Sequence, residues 1–185
     1  MPQRSSRARG SDPAPGTRGP GRATRGSATE TTDPLARAVG LLARRSHSQW
    51  ELRRKLRQKG HAPEAIEAAM GRLAELGYLN DQAFASELVR RRGSLRGPRA
   101  LSAELAARGV DRAQADAAVA EFDAESQLDA ATRLVERLYA RTPGIGYRQM
   151  LDSIGTKLLR RGFSTTIVRT ACRSVLTATA QEPDD

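Results

Sequence analysis

The feature that most constrains this chain is a sequence pattern that occurs three times. Aligned on Gly60, Gly109 and Gly162, the copies read LRRKLRQKGHAPEAIEAAM, LSAELAARGVDRAQADAAV and IGTKLLRRGFSTTIVRTAC. Eight residues before each glycine stand Leu52, Leu101 and Ile154, and four before stand Leu56, Leu105 and Leu158. Immediately before it is a cation: Lys59, Arg108 or Arg161. Beyond it the matched sets are Ile66, Ala115 and Val168; Ala69, Ala118 and Ala171; Met70, Val119 and Cys172; and Leu73, Phe122 and Val175. Apolar residues four apart before a glycine, then three and four apart after it, describe a helix, a left-handed stop and a second helix.

Local signals agree. Ser48 with Glu51 has the spacing of a capping box. Pro63 suits the first turn of a helix, with Glu64 at its positive end. Gly77-Tyr78 repeats the glycine-plus-large stop, and Asn80 or Asp81 caps the next helix. Pro98 opens a helix after GSLRGP. A further helix precedes each copy: Leu35, Val39 and Leu42 in the first; Phe84 and Leu88 in the second; Leu128, Ala131, Leu134, Val135 and Leu138 in the third. A three-helix unit of this size buries its apolar stripe best against neighbours, which is the logic of repeat proteins. The fold predicted is all-α, three tandem three-helix repeats over residues 34–80, 81–125 and 126–180, with nine helices and no sheet.

Residues 1–33 carry almost no large apolar side chain, but six arginines and three acids. That composition predicts a disordered basic tail, and residues 181–185 form a short acidic one. With only seven aromatic residues, the core must come from Leu, Ala, Val and Ile. No apolar run is long enough to span a membrane, and the N-terminus has no apolar stretch of the secretory type. The single cysteine, Cys172, pairs with nothing internally and fits a reducing compartment; its match to Met70 and Val119 places it in the core.

Charge is sorted along the chain. The net charge is +10, which favours anionic partners. Residues 44–59 hold seven cations and one acid, and residues 90–99 hold five arginines and no acid. Residues 111–125 hold five acids and one arginine. If the units stack in one orientation, their middle helices line a basic face. The candidate binding residues are Arg53, Arg54, Arg57, Lys59, Arg91, Arg92, Arg96, Arg99, Arg108, Lys157, Arg160 and Arg161. The competing reading is that the cations at helix ends serve the helix dipole alone.

Catalytic chemistry is not visible. His47 and His61 stand in turns with no other ligand at metal-binding spacing, so neither a metal nor a cofactor is expected, and His61 reads as cover for a helix end. PGIGYRQ lacks the lysine and hydroxyl of a phosphate loop. Helix-turn-helix DNA reading requires a basic second helix, yet the helix after Gly60 carries Glu64, Glu67 and Glu75 against Arg72.

Three stretches resemble the RecX family, regulators of the RecA recombinase. These are AVGLLARRSHSQWELRRKLRQKG at 38–60, LGYLNDQAFA at 76–85 and GPRALSAELAARGV at 97–110, with LLRRGFSTTIVRTA close to the family's ending. Asn80 replaces one Asp of the family pattern and Arg108 one Lys. The resemblance implies an elongated, curved array of three three-helix repeats, monomeric and cytoplasmic. It also implies binding along the RecA–DNA filament that restrains ATP hydrolysis, strand exchange and co-protease activity, and so tunes recombination and the SOS response. The alternative is a basic helical protein that binds nucleic acid without RecA.

Overall fold

The computed structural model describes residues 33–181. The predicted tails, 1–33 and 181–185, lie outside the described residues except at their inner edges. There Asp33 caps the first helix, accepting from the backbone N–H groups of Leu35 and Ala36. The described residues contain no strand.

The first three helices are α1 (Pro34–Leu42), α2 (Gln49–Gln58) and α3 (Pro63–Glu75). Next come α4 (Asp81–Arg92), α5 (Pro98–Ala107) and α6 (Arg112–Ala120). The last group opens with α7 (Ala124–Tyr139). Then α8 (Tyr147–Met150), a π-helical stretch (Leu151–Gly155) and α9 (Thr156–Arg160) run on as one rod, and α10 (Thr165–Gln181) closes the chain. Counting that rod once gives nine helices among the described residues, as the repeat predicts.

Each group of three encloses its own apolar cluster. Ala38, Leu52, Leu56, Ile66, Met70 and Leu73 form the first. The second is built around Phe84, Leu88, Leu101 and Leu105, and the third around Leu134, Met150, Ile154, Leu158, Phe163 and Cys172. All eighteen apolar residues at the six aligned apolar positions are buried except Val119 and Phe122, which are half-buried. The shared pattern therefore specifies the inward face of two helices in every group.

The aligned glycines do what the stop requires. Gly60, Gly109 and Gly162 have φ of +83°, +70° and +90°, a region that side chains with a Cβ enter at a cost. After each, the next residue's N–H reaches back to the carbonyl four residues before the glycine: His61 to Leu56, Val110 to Leu105, Phe163 to Leu158. This closes the helix ends with Schellman geometry. Asn80, not Asp81, caps α4, accepting from the N–H of Ala83 at 2.8 Å. Ser48 caps α2 through the N–H of Glu51 at 3.1 Å.

The third middle helix differs. The residues that cap the middle helices, Ser48, Gly97 and Gly146, are spaced 49 apart. From cap to stop glycine the first two helices take 12 residues and the third takes 16. Four extra residues turn a helix about 40° past one full revolution. The wider π-helical stretch, with buried Ile154 and Gly155, lies where that excess has to be absorbed.

Candidate partner-binding face

How the groups join decides where the cations fall. The start of each earlier middle helix meets the end of the next one. At the first joint the hydroxyl of Ser48, the cap of α2, donates to the carbonyl of Arg108 at the end of α5. Trp50 lies on Gly109, where an added Cβ would come within 2.4 Å of the Trp50 Cβ and Cγ atoms. At the second joint the N–H of Gly97, the cap of α5, donates to the carbonyl of Arg161 at 2.8 Å. The N–H of Arg99 donates to the carbonyl of Gly162 at 3.3 Å. The α8–α9 rod, α5 and α2 thus follow one another end to end in the same sense, in reverse chain order. At each joint the positive start of one helix faces the negative end of its neighbour.

This row carries most of the predicted cations. On α2, Arg54, Arg57 and Lys59 are exposed, and among the described residues no carboxylate lies within ion-pair reach of any of them. The guanidinium of Arg54 sits 5.0 Å from the centre of the Trp50 ring. Arg99 on α5, and Lys157 and Arg160 on α9, are likewise exposed and without a carboxylate partner among the described residues. Arg161 is half-buried at the joint.

Other predicted residues are engaged internally. Arg53 makes three hydrogen bonds to Glu67 of α3, at 3.0–3.2 Å, and holds that carboxyl below its usual range. Arg91 pairs with Glu87 at 3.6 Å and Arg96 with Glu104 at 3.4 Å. Arg92, at the end of α4, is half-buried. Arg108 departs furthest from a binding role. Its guanidinium bridges Glu51 at 2.9 Å and Glu104 at 2.8 Å and lies 6.0 Å from the Phe84 ring centre. It fastens the first joint.

Around Arg108 is a polar cluster that the sequence reading did not assemble. The three buried polar residues of the described chain, His47, Ser48 and Asp81, are all here. Asp81 accepts from the N–H of Gln49 at 2.9 Å, and His47 Nδ1 lies 3.0 Å from Glu51 Oε2. Burial pushes the His47 imidazole below its usual value, against the pull of Glu51. Burial also opposes ionisation of Glu51, but the His47 hydrogen bond and the charges of Arg45 and Arg108 outweigh it and keep that carboxyl low. The S-x-x-E pattern was visible in the sequence. That Glu51 turns away from its own helix cap, toward a cation 57 residues later, was not.

No group of three or more His, Cys, Asp or Glu side chains converges as a metal site among the described residues. Cys172 is buried, which pushes its thiol up to about 11, so it is not a ready nucleophile. No helix among the described residues is long and apolar enough to cross a membrane.

Comparison with known proteins gives this arrangement a lineage. The sequence model described as RecX, first three-helix domain, matches residues 35–73, and that for the second three-helix domain matches residues 80–119. Regulatory protein RecX of Xanthomonas campestris pv. campestris (strain B100) is 39% identical over 153 residues, covering 80% of this chain and 91% of the relative. The chain belongs to the RecX family. Regulatory protein RecX of Stenotrophomonas maltophilia (strain K279a) is 37% identical over 153 residues, covering 82% of this chain and 88% of the relative. The fold is shared with crystallised RecX from Lactobacillus salivarius, at a TM-score of 0.70 and 24% identity over 80% of this chain and 97% of that one. The family is one of regulatory proteins.

Proposed function

We propose that this RecX protein is a non-enzymatic modulator of RecA that attaches to the RecA–DNA filament and restrains its ATP hydrolysis, strand exchange and co-protease activity. It acts as a cytoplasmic monomer, built of units 34–80, 81–125 and 126–180. The observation that carries this reading, beside family membership, is the row of six exposed cations without carboxylate partners among the described residues: Arg54, Arg57, Lys59, Arg99, Lys157 and Arg160. A row on three successive helices suits a repetitive anionic partner, where many modest contacts act together. Arg53, Arg91, Arg92, Arg96 and Arg161 flank it and add to its field.

The test is RecA's DNA-dependent ATPase with this protein added below stoichiometry. The wild type lowers the rate. The triple reversal Arg54→Glu, Arg57→Glu, Arg160→Glu leaves helicity unchanged and loses the inhibition; inhibition that survives it removes the row from the mechanism. The same cations also suit a protein that binds nucleic acid without RecA. Unchanged hydrolysis together with tight, salt-sensitive binding to bare DNA selects that reading.

A further inference from the structure

The two joints are made of different materials. The second is backbone on backbone: Gly97 lies on Gly162 and Phe163, and a Cβ added to Gly97 would come within 2.4–2.5 Å of main-chain atoms. Phe122, at the end of α6, packs against both the second and the third apolar cluster. Phe122 thus bridges the apolar clusters of these two groups of helices.

The first joint has no such bridge. No side chain of the first apolar cluster packs against the second. What crosses it is polar and charged: Ser46 to Glu87, Ser48 to the Arg108 carbonyl, Gln49 to Asp81, and Glu51 to Arg108. An apolar contact beside them is Trp50 against Gly109. The Arg108 and Glu51 side chains keep 22% and 13% of their surface in solvent, so water and ions can replace these partners when the joint opens. Charged contacts that keep some solvent exposure weaken with ionic strength, though less than fully exposed pairs do, whereas buried apolar and backbone contacts are not screened.

We propose that the Ser46–Glu51 and Arg108 joint is an ionic articulation about which α1–α3 swing as one body, while α4–α10 move together as a second. Swinging carries Arg54, Arg57 and Lys59 toward or away from Arg99, Lys157 and Arg160, so the joint sets the span of the cation row. That consequence rests on the row being the binding face; the motion itself does not.

The experiment measures distances on the full chain without any partner. Spin labels go on exposed Ala74 (α3) and Ala117 (α6) in one double variant, A74C/A117C. In a second, A117C/R169C, they go on Ala117 and exposed Arg169 (α10). Buried Cys172 stays unlabelled. Pulsed dipolar EPR is recorded at about 0.05 and about 0.5 M sodium chloride. The α3–α6 distribution broadens and its mean shifts at high salt, while the α6–α10 distribution stays narrow and fixed. Glu51→Gln reproduces the α3–α6 broadening at low salt, with helicity retained. Two outcomes overturn the proposal: an α3–α6 distribution as narrow and salt-independent as α6–α10, or both broadening together. A RecA assay plays no part, so failure here leaves the reading of the cation row standing, and failure of that reading leaves the articulation.

Discussion

Replacing Gly97 by alanine adds one carbon where the second joint is tightest. Gly97 has φ −84°, so alanine fits its backbone and the whole effect comes from contact. The new Cβ would stand 2.4 Å from the Phe163 nitrogen and 2.5 Å from the Gly162 carbonyl carbon and oxygen, where ordinary contact begins at 3.4 Å. Those atoms are main chain, fixed between Phe163 in its core and the left-handed Gly162, so no side chain can step aside. Overpacking of this kind costs about 1–3 kcal/mol. Opening the joint also loses the two backbone hydrogen bonds across it, about 0.5–1.5 kcal/mol each. The sum is about 2–6 kcal/mol, or about 4–24 °C in Tm at about 2–4 °C per kcal/mol for a domain of this size. Thermal and urea unfolding followed by circular dichroism read it directly. Gly146→Ala is the control: it is also a cap, and nothing lies within 4 Å of its added Cβ, so any propensity loss is shared and subtracts out. Gly60→Ala separates the remaining effect, since its φ of +83° is strained but its surroundings are open, and it costs about 1–2 kcal/mol. If Gly97→Ala is no less stable than Gly146→Ala, the end-to-end contact of the middle helices is not holding the array together.

Acid weakens the first joint. His47 is held below its ordinary value, so the closed joint refuses a proton that the open joint accepts, and closure weakens as pH falls below about 6.5. Glu51, also held low, stabilises the joint above the ordinary carboxylate range, and its share is lost as pH falls through its depressed value. Trp50 is the only tryptophan and lies across the joint, so its emission shifts to the red between about pH 7 and 5 while helicity holds; a flat spectrum refutes the assignment. Cys172, with its thiol pushed up to about 11 by burial, resists thiol reagents at mildly alkaline pH until urea unfolds the third group of helices. Modification at the rate of a free peptide thiol in the native protein contradicts the packing described.

The helices and their cores were legible because one pattern determines both. The residues four and eight before each glycine, and those six, nine, ten and thirteen after it, needed only the helical period to be placed inside. The stop glycines needed only the rarity of positive φ. The contacts between units were not legible, because they join residues with no periodic relation. Gly97 and Gly146 look alike in sequence, yet one is pressed against another helix and the other is open. Asp81 read as an alternative cap, and it instead reaches across to Gln49 of the preceding unit. Of the candidate face, the cations were recognised by composition. Which of them are consumed internally depends on carboxylates brought in by tertiary structure, as Glu67 meets Arg53 and Glu51 meets Arg108.

The end-to-end order of the middle helices gives the molecule a direction. At each joint the partial positive charge of one helix start is neutralised by the partial negative charge of the next helix end. Only the outermost poles stay uncompensated within the row: the start at Gly146 and the end at Lys59 and Gly60. A partner that is itself directional, with a front and a back along its length, therefore meets two distinguishable orientations of this protein.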